Sequence, residues 1–166
     1  MKVLLIGVDL AWGEKKHDGV CLLEWNGNFG SVLGFGYPRG DRELMELIRG
    51  WGKGYRSVFV TVDAPIVCPN RTGTRPVDRL THRMFHKEHA ACHPANSTKC
   101  PRPPRLARLG ERWSKPVEDR TDALFCVLIG LWHWMHRGKK SQVIGDRETG
   151  FILLPEPVLG STSPGL

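Results

Sequence analysis

Two aspartates close two similar apolar runs, and no other residues in this chain are better placed to do chemistry. The first run, KVLLIGVDLAWG at 2–13, carries Val3, Leu4, Leu5, Ile6 and Val8 up to Asp9 and breaks at Gly13. The second, SVFVTVD at 57–63, ends on Asp63. A run apolar on both alternating faces is the pattern of a strand covered on both sides. An acid at its end sits at the rim of the sheet, where open α/β sheets keep their ligand crevices. If the two strands lie parallel and adjacent, Asp9 and Asp63 face one another. Carboxylates that close repel unless a proton or a cation lies between them. Their oxygens suit Mg²⁺ or Mn²⁺, ions that also pair with phosphate substrates.

A third carboxylate has two candidates. Glu118-Asp119-Arg120-Thr121-Asp122 opens a long C-terminal apolar stretch, and Asp119 and Asp122 are three apart, so one helix face can carry both. Either can complete an acidic triad with Asp9 and Asp63. Acids in a first helical turn also serve simply to complement the macrodipole. The presence of two strand-end aspartates favours the triad.

Two basic or metal-ligating stripes accompany the acids. His82, His86, His89 and His93 step by four, three and four beside Cys92, a spacing that suits zinc, although a polar outer face or a basic wall near the site is the favoured reading. Arg102, Arg105, Arg108 and Arg112 fall on one face if Pro104 starts a helix, which suits phosphate contacts. A solvated basic linker is the rival reading of that segment.

The elements that must position these groups follow from the punctuation. Val20 to Trp25 reads as a second strand, Asn26-Gly27-Asn28 as a hairpin turn and Ser31 to Tyr37 as a third strand. Asp41 is the expected N-cap of a helix running to about Trp51, with Leu44, Leu47 and Ile48 inward. The strand ending at Asp63 follows, then a loop at 64–74 and a helix from Pro76 to about Ala90. The main C-terminal helix is expected from Val117 to near Gly138, with a core stripe of Leu124, Leu128, Leu131 and Trp132. A hairpin of 142–145 and 151–154 closes the fold. The order predicts an α/β domain over 1–155, with three antiparallel strands, a crossover helix and then a strand parallel to the first. That is how an RNase H-like mixed sheet flanked by helices opens. The tail at 156–166 is expected to be disordered.

Composition narrows the partners. With 166 residues the chain can bury one core, and a net charge of +7 favours polyanions. Five cysteines without a CxxC pair fit a reducing, cytoplasmic setting. The longest apolar run, 123–135, is too short for a bilayer and includes His133, so no membrane partner is expected.

The motifs GVDLAWG (7–13), VDAPIVCPNRTGTRPVDR (62–79), HPANS (93–97), EDRTDALFCVLIGLW (118–132) and IGDRETGFILLP (144–155) resemble, in order, those of the domain of unknown function 429 family. That family is described as predicted nucleases of RNase H-like fold. The resemblance implies metal-dependent phosphodiester hydrolysis, with Asp9, Asp63 and Asp122 or Asp119 as ligands. It places Pro69, Asn70, Arg75 and Asp78 at the same mouth. It also implies a longer segment before the C-terminal helix, with a further strand, where this chain has the short basic stretch 98–116.

Three functions follow as expectations. The first is a nuclease acting on DNA or RNA with Mg²⁺ or Mn²⁺. The second is an inactive nucleic-acid-binding relative that uses Arg102, Arg105, Arg108 and Arg112. An actin-like nucleotide binder is the third, and the chain is too short for its two lobes.

Overall fold

The structure is a computed structural model that describes residues 2–11, 16–65, 67–87, 96 and 115–156. The apolar run before Asp9 forms strand β1 (Val3–Asp9), and β2 (Gly19–Trp25) and β3 (Gly30–Gly36) follow as antiparallel neighbours. Asn26 makes the turn between β2 and β3. Its Oδ1 accepts from the Asn28 and Phe29 amides at 2.9 Å each, while Gly27 takes the positive φ of 109°. Helix α1 (Gly40–Gly52) then crosses to β4 (Val58–Asp63), which pairs parallel with β1. The sheet order is β3-β2-β1-β4. The domain is therefore a mixed α/β sheet of three antiparallel strands and one parallel strand, with helices on both faces.

The pleat of β1 divides the core in two. Val3 and Leu5 join Cys21 and Leu23 against Ala123 and Val127 of α3 (Lys115–Met135). Leu4, Ile6 and Val8 join Val20 and Leu22 against Leu44 of α1 on the other face. Alternation of this kind is what a strand covered on both sides must show. Helix α2 (Pro76–Phe85) and a separate two-stranded sheet, β5 (Ser141–Asp146) with β6 (Gly150–Pro155), complete the described chain. No helix among the described residues is long and apolar enough to cross a membrane.

Several expected boundaries move, each for a local reason. The N-cap of α1 is Arg39 instead of Asp41, because Glu43 Oε2 reaches back to accept the Arg39 amide at 2.7 Å. Helix α2 stops at Phe85, where His86 folds its Nδ1 onto the His82 carbonyl at 2.9 Å. Helix α3 starts two residues earlier than expected, at Lys115, with Pro116 in the turn where a missing N–H costs nothing. The expected core stripe of α3 holds in part. Leu124 and Leu131 pack, half-buried, against the core, whereas Leu128 is 42 % exposed. The buried contacts are Ala123, Cys126 and Val127, with Gly130 against Thr61. Strand β4 lies at the edge of the sheet among the described residues, which leaves Val58 and Val60 partly open. The tail beyond 156 lies outside the described residues.

Candidate active site

Small residues bring α3 down onto the acidic end of the sheet. A Cβ on Gly7 would stand 2.1 Å from the Ala123 carbonyl oxygen, and one on Gly19 would stand 2.4 Å from that of Asp119. Glycine inside a strand commonly marks such an approach of backbone to backbone. Gly19 is in turn the antiparallel partner of Asp9. The first turns of α3 therefore lie directly over the rim.

Asp9 and Asp63 are register partners at the ends of β1 and β4. Neighbouring strands run about 4.8 Å apart, so the two residues sit side by side. Both belong to the sheet face covered by α3. Asp9 continues the alternation of Val3 and Leu5, and Asp63 that of Thr61, whose hydroxyl donates to the Cys126 carbonyl of α3 at 2.6 Å. Part of Asp63 reaches solvent, but enough protein crowds its carboxyl that burial raises the pKa above the ordinary aspartate value.

Cys126 reports which residue of α3 joins them. Burial first, then the charges of Asp63, Asp9 and Asp122, push its thiol up to about 12. Asp122 stands one helical turn before Cys126 on α3. Asp119 is 7 % exposed and sits one turn earlier, with its backbone wedged over Gly19.

The donor chemistry suits a hard divalent ion, because three carboxylates from three elements share one rim. Their side chains are not drawn up to ligand spacing. Among the described residues, no group of three or more His, Cys, Asp or Glu side chains is arranged to hold a metal ion.

The other expected mouth residues turn to one another. Arg75 and Asp78 are 5 % and 1 % exposed. The Arg75 Nη2 meets Asp78 Oδ1 at 2.7 Å, its Nε meets Oδ2 at 3.0 Å, and its Nη1 donates to the Val67 carbonyl at 3.0 Å. The pair ties the loop after β4 to the start of α2. Asn70 donates to the Thr72 carbonyl at 3.1 Å, and Pro69 is exposed beside it. Asn96 donates to the Gly73 carbonyl at 2.8 Å, which ties that residue to the same loop. The rings of His82 and His86 stack 5.4 Å apart on the surface. His89, His93, Arg102, Arg105, Arg108 and Arg112 lie outside the described residues.

Two residues near the rim escape a reading by motif. Asp18 is fully buried and accepts the Ala11 amide at 2.7 Å, anchoring the chain just after β1. In the sequence it passes for one more charge in a turn. Arg120 lies over the rings of Phe35 and Tyr37 and donates its Nε–H to the Tyr37 hydroxyl, clamping the start of α3 to the β3 side. Its signal is faint, because an arginine between two acids reads as solvated.

A family model described as "Protein of unknown function (DUF429)" matches residues 7–105. No curated protein and no solved structure matches the chain.

Proposed function

The chain belongs to the DUF429 family of proteins of unknown function, and from its acidic rim we propose that it is a metal-dependent nuclease with an RNase H-like core. The observation that carries the reading is the pairing of Asp9 with Asp63 at adjacent strand ends, with Asp122 one helical turn before Cys126, the α3 residue whose carbonyl takes the Thr61 hydroxyl. Asp9, Asp63 and Asp122 would hold Mg²⁺ or Mn²⁺. When bound, the ion supplies Lewis-acid polarisation of a phosphodiester and a nucleophile at neutral pH. The protein's part is to fix the carboxylates on rigid elements. Gly7 and Gly19 set the depth of α3, and Thr61 fixes its position along β4. The net charge of +7 draws DNA or RNA toward that rim. Cys21 and Cys126, buried thiols outside any disulfide among the described residues, support a cytoplasmic setting.

The test is cleavage of labelled single- and double-stranded DNA and RNA with Mn²⁺ or Mg²⁺, against EDTA and against Asp9→Asn. Divalent-dependent cleavage lost in Asp9→Asn supports the nuclease. The second reading is a non-catalytic nucleic-acid-binding relative. It is favoured by the absence of a drawn-up ligand group among the described residues. Salt-sensitive binding without cleavage in any metal would select it.

A further inference from the structure

At the other end of the sheet lies a cavity of about 480 Å³, lined by Val3, Trp25, Phe59, His133, Trp134 and Arg137. Val3 and Asp9 are opposite ends of β1, so about 20 Å separates this cavity from the acidic rim. Its volume falls in the range of small-molecule sites. Four of its six lining residues are flat rings. Phe59 stacks on His133 at 5.9 Å and 10°, and meets Trp134 at 6.0 Å. The Nδ1 of His133 is shut off from solvent and has no hydrogen-bond partner among the described residues. Buried polar atoms in native proteins nearly always have one.

Arg137 supplies the charge. It is the one non-glycine residue with positive φ, 50°, among the described residues, and it stands just past the end of α3. Glycine is the usual occupant of such a position, because a side chain there is strained. Among the described residues the guanidinium has no ion pair and no hydrogen bond. No carboxylate lines the cavity to neutralise it.

We infer that this cavity binds a planar aromatic anion, whose ring enters among Trp25, Phe59, His133 and Trp134 and whose negative group meets Arg137. Rings stack on the aromatic walls and the guanidinium takes a phosphate or carboxylate as a fork. Two sources share that chemistry, a nucleoside monophosphate and a small aromatic acid.

Calorimetric titration in EDTA tests this with AMP, adenosine, indole-3-acetate and inorganic phosphate. At least one of AMP and indole-3-acetate should bind, and which of them binds identifies the source. AMP, if bound, should bind at least tenfold more tightly than adenosine, and phosphate alone should not bind measurably. Arg137→Gly separates binding from structure. Glycine relieves the backbone, so the melting temperature should hold or rise, whereas affinity for the anion should fall at least tenfold. Asp9→Asn should leave the binding unchanged, which keeps this site distinct from the acidic rim. Failure of both ring compounds to bind, or equal affinity in Arg137→Gly, overturns the inference. So would binding of phosphate as tight as that of the ring compound.

Discussion

The hydroxyl of Thr61 donates to the main-chain carbonyl of Cys126 across 2.6 Å, two residues before β4 ends at Asp63. This bond ties the middle of α3 to the strand that carries one acid, and so fixes where Asp122 stands relative to that acid. Gly130 lies against the same threonine, where a Cβ would come 2.8 Å from its methyl group. Thr61→Val keeps the shape and removes the donor. The expected loss is about 1 kcal/mol, the usual net worth of one hydrogen bond. For a chain of this size, that is a fall of about 2–4 °C in thermal midpoint, readable by calorimetry.

Gly7→Ala should do far more damage. The added carbon would press on the Ala123 carbonyl, which is helix backbone and cannot swing aside. Either α3 lifts from the sheet or β1 bends, at a cost of about 3 kcal/mol. Denaturant unfolding should show a lower midpoint with little change in slope. A midpoint equal to that of the parent would mean that α3 is not seated on β1 at this depth.

These two contacts show which parts of the fold the sequence makes legible. Strands β1 and β4 are plain because their apolar runs are nearly pure and each ends on an aspartate. The parallel pairing of β1 and β4 follows from the helix between them. The seating of α3 is obscured because its most buried contacts are Ala123, Cys126 and Val127, with Gly130 beside them, small residues that a hydrophobic pattern ranks below the exposed Leu128. Glycines inside β1 and β2 were the available clue. Arg75 and Asp78 mislead in another way. Polar residues in a Pro- and Gly-rich loop read as a binding mouth, and here the two bury themselves in each other.

That buried pair gives a third expectation. Asp78→Ala leaves the Arg75 guanidinium enclosed, with the Val67 carbonyl as its one remaining side-chain hydrogen-bond partner among the described residues. Breaking one side of a buried ion pair costs about 3–5 kcal/mol. Replacing both partners, as in Arg75→Met with Asp78→Leu, should cost much less, because no charge is then left enclosed. A thermal-melt double-mutant cycle would show this as strong coupling. Additive losses would place the pair in water.

Asp63 sets a pH dependence. Burial raises its folded pKa, so the unfolded chain loses this proton first, near 3.8, and the folded protein loses it later. Between those two values the native state binds more protons, and stability falls as pH rises. The contribution is fully present below the unfolded pKa and gone above the folded one. Asp63→Asn removes this contribution, so its stability should decline less than the parent's as pH is raised from about 3.5 toward neutrality. Parallel stability curves for parent and variant would show that the carboxyl is hydrated like any surface aspartate.

The choice between Asp122 and Asp119 is decided by metal. If Asp9, Asp63 and Asp122 hold the ion, the apo protein keeps three like charges near one sulfur, and a divalent cation relieves them. Ligand at about a hundred times its Kd adds about 2.7 kcal/mol, which is about 5–10 °C in a chain of this size. Mn²⁺ should therefore raise the thermal midpoint of the parent by that order. Asp122→Asn removes one repelling charge and one ligand together. Its apo form should melt higher than the parent and respond little to Mn²⁺. Asp119 lies one turn earlier, its carbonyl held over Gly19, so Asp119→Asn should keep most of the metal response. A parent whose midpoint ignores Mn²⁺ and Mg²⁺ would remove the ion from the proposal and leave the nucleic-acid-binding reading in its place. Loss of the response in Asp119→Asn alone would move the third ligand one turn toward the start of α3.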